Sequence, residues 1–390
     1  MTEPYRICTR CVMNTSDPGI VFDAAGVCNH CHAYEDAVAT RVRTGSQAEA
    51  QLAALCERIR ADGRSKDYDC IIGVSGGVDS SYVAYLVKQL GLRPLAVHLD
   101  NGWDSELAVK NIESILKRLG IELYTHVLDW EEFKDLQLAF LRASTPDSEI
   151  PSDHAIFAVM RHVAAKQKVR YVISGVNVRT ESHLPRAWSQ GHMDWRYIRS
   201  VHRRFGTRGR LRTFPHLTLL DLYRYRATQE WVEILNFVEY DKARAKRVLI
   251  DELGWRDYGG KHFESVYTRF YQGYLLPRKF GYDKRRSHLS SLICSGQIAR
   301  SEALRELEQE PYPVELQASD RKYVAKKFGL SEAEFDAIMA LPPRSYHDYP
   351  NHQRIYSSRA YLLGQAVFRH ARSLAQRLRS TGDADGRKTV

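Results

Sequence analysis

An α/β fold with a doubly wound, mostly parallel sheet is the architecture this sequence predicts, preceded by a small cysteine-rich segment and followed by a helical C-terminal region. Three observations carry it. Between residues 68 and 176, short apolar runs alternate with segments of helical period. Two pairs of cysteines fall within the first 31 residues. Beyond about residue 226 the apolar spacing is mostly helical. Alternating helices and near-continuously apolar strands argue for a parallel sheet covered on both faces. Right-handed crossovers then wind it into an open sheet, whose ligands bind beyond the carboxyl ends of the strands.

The elements follow in order. Residues 1 to about 40 are loop-like, with turn residues such as NTSDPG and DAAG. SQAEAQLAALCERIRA (46–61) has apolar residues at helical spacing. YDCIIGV (68–74) predicts a buried strand, and Ser80 to Leu90 a helix. RPLAVHLD (93–100), IELYTHVL (121–128) and RYVISGV (170–176) predict further strands. Helices are predicted over 105–120, 130–143 and 152–168. From 177 to 230 the pattern is lost. ATQEWVEILNFV, SEALRELEQE and SRAYLLGQAVFRHARSLAQRLRS predict helices beyond it. The expected organisation is a cysteine segment (1–45), an α/β domain with an Arg-rich insertion (46–230), a mainly helical region (231–380) and a disordered tail (381–390).

The chain has 390 residues, room for two or three domains, and a formal charge of +10. That charge favours anionic partners: nucleotides, nucleotide-sugars or RNA. No apolar run is long enough to span a bilayer, and MTEPYRICTRC has no apolar core of a secretory signal. The expected location is the cytoplasm. Disulfides are not expected in that reducing compartment, so paired cysteines point to metal or redox chemistry.

CIIGVSGGVDSSYVAY (70–85) sits between a predicted strand and a predicted helix. Gly76 and Gly77 let the backbone turn sharply and approach a ligand closely. The helix start presents unpaired N–H groups and a positive dipole end. Ser75, Ser80 and Ser81 add hydroxyls. Together these predict a phosphate or pyrophosphate pocket. Asp79 would repel phosphate unless it holds a cation, so Mg²⁺ is its expected partner. The stretch also fits G-x-S-x-G, which would make Ser75 a nucleophile. That motif needs several strands before it, and only one predicted helix and the cysteine segment precede this one.

Cys8-x2-Cys11, sixteen residues, then Cys28-x2-Cys31 is a four-thiolate zinc spacing. Four ligands leave no open position, so a structural zinc ribbon is expected. The metal supplies its folding energy. Farther on, Lys261 follows Gly259 and Gly260, where it would lie against pyrophosphate or developing charge. His262 and Glu264 fit acid–base groups or hydrogen-bonded structure. Lys284, Arg285 and Arg286 suit a diphosphate or a solvated charge run. Asp153 and His154 stand at a predicted helix start, where Ser152 or Asp153 also suits a cap. Residues 196–226 hold nine arginines.

SGGVDSS after a strand resembles the pyrophosphatase loop of the PP-loop ATP pyrophosphatases. That superfamily includes the ammonia-using domains of GMP, NAD and asparagine synthetases and several tRNA-thiolating enzymes. The resemblance implies a PP-loop fold, ATP with Mg²⁺, and cleavage to AMP and pyrophosphate. His98 and Asp100, in VHLDNGW (97–103), and Gly175 and Asn177, in SGVN (174–177), then join the ATP-binding set. CTRCVMNTSDPGI, GVCNHC, SGGVDSSYVA, GWRDYGGKHFESVYTRFYQ and DKRRSHLSSLICSGQ together resemble the bacterial N-acetyl sugar amidotransferases of surface-polysaccharide biosynthesis, from about residue 5 to about residue 310. That resemblance implies conversion of an acetamido group on a nucleotide-activated sugar to acetamidino. Asp79, Lys261 and His262 would be catalytic, and Asp153, His154, Lys284, Arg285 and Arg286 would hold substrate. Thr2 excludes a cysteine nucleophile at the mature N-terminus, and no G-x-C-x-G occurs. A separate glutaminase subunit with an ammonia-channelling companion is therefore expected. The alternative is a PP-loop tRNA-thiolating enzyme, which typically needs cysteines near the loop. Here only Cys56, Cys70 and Cys294 remain. A non-catalytic zinc-ribbon RNA binder is a third reading, against which Asp79 and the glycine pair stand. Nucleic acid is not the expected partner.

Overall fold

The computed structural model describes residues 4–260, 262–359 and 363–364. Helix α1 (Asn29–Arg41) leaves the cysteine segment directly from Cys28. Helix α2 (Gly45–Gly63) leads to β1 (Cys70–Gly73), α3 (Val78–Gln89), β2 (Pro94–Asp100), α4 (Glu106–Leu119) and β3 (Glu122–Val127). Two helices, α5 (Trp130–Ala143) and α6 (Ile150–Lys166), precede β4 (Tyr171–Ser174). Ends match local chemistry. Ser105 caps α4 through the Ala108 N–H, and Gly120 closes it in the left-handed region.

The five strands are all parallel, in the order β3-β2-β1-β4-β5. The fifth is β5 (Glu230–Glu233), beside β4. Here the structure corrects the helical reading of ATQEWVEILNFV. Trp231 packs with Val172 and Val159 on one face of the sheet, while Val232 packs with Ile72 on the other. That is an alternation of two, in a run too short to signal itself. The strand straddles the boundary expected at 230. The stretch without pattern before it holds α7 (Val178–Glu181), α8 (Trp195–Phe205) and α9 (Leu219–Thr228). Among the described residues β3 is the other edge strand, and Leu123 and Val127 of its apolar run are exposed.

Beyond a 3-10 turn at Ile234–Phe237 come α10 (Lys242–Leu253) and α11 (Val266–Phe270). A π-helix, Tyr271–Phe280, continues α11 and contains Pro277, which cannot donate to a regular helical ladder. Helices α12 (Arg285–Cys294), α13 (Arg300–Leu307), α14 (Val314–Phe328) and α15 (Glu332–Ala340) follow. One core lies between the sheet and α2, α3, α4 and α10, another between the sheet and α6. A third joins α5 and α8 to the π-helix, α14 and α15. Among the described residues no helix is long and apolar enough to cross a membrane. The tail expected at 381–390, and most of the helix expected from Ser358, lie outside the described residues.

Candidate active site

In this strand order the chain winds outward from β1 in one direction through β2 and in the other through β4. The loop Val74–Gly77 leaves β1 at that switch point, where open sheets hold their ligands. Gly76 has φ +79°, and a Cβ there would lie 2.8 Å from the Ala108 carbonyl oxygen. Only glycine suits both conditions. The Trp255 indole N–H donates to the Gly76 carbonyl at 2.8 Å and fixes the turn from the distal half. Ser80 Oγ accepts from the Ser75 N–H at 3.2 Å, and Ser75 Oγ accepts from the Gly77 N–H at 3.3 Å. Ser81 is buried. Gly175, after β4, lets that strand end abut α3: a Cβ there would sit 3.2 Å from the Asp79 carbonyl carbon.

Asp79, in the first turn of α3, accepts from the Tyr240 hydroxyl and, at 3.0 Å, from Lys242 Nζ. Neither partner is in the sequence-predicted set. Burial works against the Lys242 charge, but the surrounding carboxylates, Asp79 first among them with Glu181 and Glu264, raise its pKa above the usual value. A Mg²⁺ at Asp79 would therefore compete with an ammonium already in place. Its carboxylate is the hard oxygen donor such an ion takes.

The other expected ATP residues serve the scaffold. His98 is buried, with Nδ1 2.9 Å from the Val74 carbonyl and Nε2 3.2 Å from Asp104. It ties β2 to the loop. Asp100 accepts from the Gly102 N–H at 2.8 Å and shapes the turn after β2. Asn177 caps α7 through the Thr180 N–H.

A cavity of about 700 Å³ is lined by His262, Arg269, Gln272, Lys284, His288 and Tyr312 among others, with no residue of the loop in its wall. A short chain of contacts reaches it. Glu264 Oε1 is 3.3 Å from where a Gly77 Cβ would stand, His262 Nδ1 is 3.4 Å from Glu264 Oε1, and the His262 and His288 rings are 5.4 Å apart. Burial would raise the Glu264 carboxyl, but His262 and then Lys242 hold it below the ordinary range. His262 has φ +63°, uncommon for a residue with a side chain. Gly273 of the π-helix admits the Tyr312 ring, which a Cβ there would meet at 2.6 Å. Lys261 lies outside the described residues.

Of the basic run, Lys284 and Arg285 line this cavity and Arg286 does not. Arg285 is held by Asp283 and by the Glu306 and Gln309 carbonyls. Arg286 donates to the Val12 carbonyl at 2.9 Å, so it clamps the cysteine segment rather than a diphosphate. His154 is likewise no substrate ligand. It is wholly buried, its Nδ1 2.6 Å from the His192 carbonyl, and its Nε2 accepts from the Leu217 N–H. Burial pushes its pKa down to about 4. Asp153 instead joins Asp147 around His192 Nε2, at 3.3 and 3.4 Å. Glu149 lies near them, and burial, together with those two carboxylates and against Lys284, pushes it up to about 7.

The four N-terminal cysteines are all buried, and their sulfurs converge. Cys8–Cys31, Cys11–Cys28 and Cys28–Cys31 are 3.9, 3.7 and 3.7 Å apart. A tetrahedron with Zn–S of about 2.3 Å has an edge of about 3.8 Å. The N–H groups of Cys11 and Cys28 point at Cys8 Sγ, and that of Met13 at Cys11 Sγ, as thiolates require. The residues fit a zinc ion. The "ribbon" is reduced to two isolated bridges, Ile7 with Asn14 and Phe22 with Cys28. Arg300 donates to the Cys8 and Cys11 carbonyls, and Ser290 Oγ accepts from the Val12 N–H.

Comparison with known proteins divides the chain the same way. The NAD synthase family model matches residues 51–164, which include the loop. A second model, LPS biosynthesis protein WbpG-like, C-terminal domain, matches residues 264–362. The α/β part of the chain is thus similar to NAD synthase, and the distal part to the C-terminal domain of WbpG-like LPS biosynthesis proteins. The tRNA(Ile)-lysidine synthase of Chlamydia pneumoniae is 37% identical over 70 residues, 17% of this chain and 22% of that one. The glutamine-hydrolysing GMP synthase of Pyrobaculum aerophilum is 42% identical over 76 residues, 19% and 15% of the two chains. The match thus spans less than a quarter of either relative. Among solved structures, the NH3-dependent NAD synthetase of Campylobacter jejuni has 16% identity and TM-score 0.27, covering 34% of this chain and 58% of that one. The NMN synthetase of Francisella tularensis has 18% identity and TM-score 0.28, covering 35% and 56%.

Proposed function

We propose that this WbpG-like PP-loop protein is an ATP-dependent, AMP-forming amidotransferase. It converts an acetamido group of a nucleotide-activated N-acetyl sugar to acetamidino, in the assembly of surface polysaccharide such as O-antigen. One observation carries the reading. The phosphate loop and a cavity lined largely by the WbpG-like domain meet through Gly77, Glu264 and His262. The cavity volume suits a small-molecule ligand, and Lys284 on its wall suits an anionic group such as a nucleotide diphosphate.

An amide oxygen is a poor leaving group, so it is first activated. The acetamido oxygen attacks the α-phosphorus of ATP, and pyrophosphate departs. The loop N–H groups and the start of α3 hold the departing charge. Lys242, released from Asp79, and Lys261 add positive charge there. Ammonia then attacks the imidate carbon, the C–O bond to AMP breaks, and the amidine remains. His262, oriented by Glu264, accepts the proton that the attacking nitrogen sheds. Asp79 would hold Mg²⁺, which screens the phosphates when bound. Cys8, Cys11, Cys28 and Cys31 would hold a structural zinc. Ammonia comes from a separate glutaminase subunit, with a companion that channels it.

The thiolating alternative meets a structural obstacle. Cys56 and Cys70 are sealed in the core, and the Cys294 sulfur lies against Cys31. The test is AMP release by purified protein given ATP, Mg²⁺, ammonium and a panel of nucleotide-activated N-acetyl sugars, with product mass. Sugar-dependent AMP and a product in which NH replaces O support the proposal. AMP release with tRNA and a sulfur donor, but not with any sugar, overturns it.

A further inference from the structure

Cys294 and His183 were not among the predicted ligands, yet they complete a second cluster at the edge of the first. Cys294 Sγ lies 3.8 Å from Cys31 Sγ, and His183 Nε2 lies 3.6 Å from Cys294 Sγ. All three ligand atoms fall within 4.8 Å of one another. A tetrahedral zinc would set the sulfur–sulfur edge at about 3.8 Å and the sulfur–nitrogen edge at about 3.6 Å, from bond lengths of about 2.3 and 2.05 Å. Both measured separations match.

The tautomer of His183 agrees. Its Nδ1 faces Ser291 Oγ at 3.0 Å and Ser182 Oγ at 3.5 Å. Each hydroxyl already gives its proton to a carbonyl: Ser291 to Ser287, and Ser182 to Val178. That pattern suits the tautomer with its hydrogen on Nδ1, which leaves the Nε2 lone pair facing the thiols. A hydrogen bond on the far nitrogen is how metal-binding histidines are oriented.

We infer that Cys31, His183 and Cys294 hold a second zinc-class ion, with the Cys31 thiolate bridging it to the ion of the four-cysteine site. Three protein ligands leave a fourth position for water or a ligand, on the side where Cys294 is only half-buried. The ion pins three separate segments together: the start of α1, the chain after α7, and the end of α12.

The inference rests on the four-cysteine site holding metal, and metal stoichiometry separates the two claims. Elemental analysis of the full chain should give two zinc per chain, falling to one in Cys294→Ser and in His183→Gln. One equivalent in the unaltered chain, or two retained in both variants, overturns the second site alone. No metal at all overturns the first site as well. X-ray absorption on the unaltered zinc protein guards against a variant that fails to fold. Metal–metal scattering at roughly 3.5–4 Å is expected, and its absence overturns the bridge.

Discussion

The phosphate loop and the cysteine knuckle are both short motifs finished by residues far along the chain, yet they are built by opposite means. The loop works by what is missing. Gly76 has no Cβ to strike Ala108, and Gly175 none to hold β4 away from α3. Its shape is set by its own backbone and hydroxyl contacts, whether or not a ligand is bound. The knuckle works by what is there. Four thiolates crowd within 4.8 Å, an arrangement that only a cation makes favourable. One site is preorganised and the other is conditional on its ion.

Metal removal should draw that contrast most sharply. Structural zinc sites contribute about 10 kcal/mol or more to folding. Stripping the metal with a strong chelator is expected to open residues 4–45 to protease while the sheet stays folded. Limited proteolysis with mass mapping reads this. A knuckle that stays protected without metal would mean that Arg300, Arg286 and Ser290 suffice to hold it.

The loop should break to a smaller substitution. Gly76→Ala forces a side chain into the left-handed region, at about 1–2 kcal/mol, and into contact with the Ala108 carbonyl. AMP formation should fall by about 100-fold or more while zinc content is unchanged. Retained activity would show that the loop remodels freely.

Lys242→Met tests the cation that faces Asp79. Removing the cation from this part-buried carboxylate, which keeps the Tyr240 hydroxyl, costs up to about 3 kcal/mol, and AMP formation should drop by at least tenfold. Adding Asp79→Asn should restore thermal stability but not activity. If the double variant regains both, the pair is structural and Lys242 has no part in phosphate chemistry.

What could be read beforehand follows the same division. SGGVDSS and the two CxxC pairs were legible because their chemistry is contiguous. The strands β1 to β4 announced themselves as apolar runs. β5 did not, since Glu230–Glu233 gives only one alternation amid an aromatic, Arg-rich stretch. Tyr240, Lys242 and Trp255 were invisible because nothing local marks a residue that meets the loop from more than 150 positions away. His154 misled for the opposite reason: a histidine beside an aspartate at a helix start looks chemical, and only the fold shows both its nitrogens consumed. Cys294 passed as a stray thiol because its partners, Cys31 and His183, come from two other segments.

The smallest effect concerns a group that neither site uses directly. Glu149 is buried behind the cavity, with Thr268 and Gln272 on its carboxyl, and its pKa of about 7 stands above the 4.5 of an unfolded chain. The folded state therefore holds the proton more tightly. Its contribution is fully present below pH 4.5 and is lost as pH rises towards 7, because there the unfolded state has already ionised. Above pH 7 the folded state carries a buried carboxylate near Asp147 and Asp153. Glu149→Gln should thus be near neutral at pH 4.5 and stabilising at pH 8, by at most about 3 kcal/mol, less whatever the Thr268 contact loses. Thermal unfolding of both proteins across that range checks it. A difference that does not vary with pH would mean that Lys284 neutralises Glu149 in the folded chain. The acidic group behind the cavity would then be as charge-balanced as the Asp79 pair at the loop.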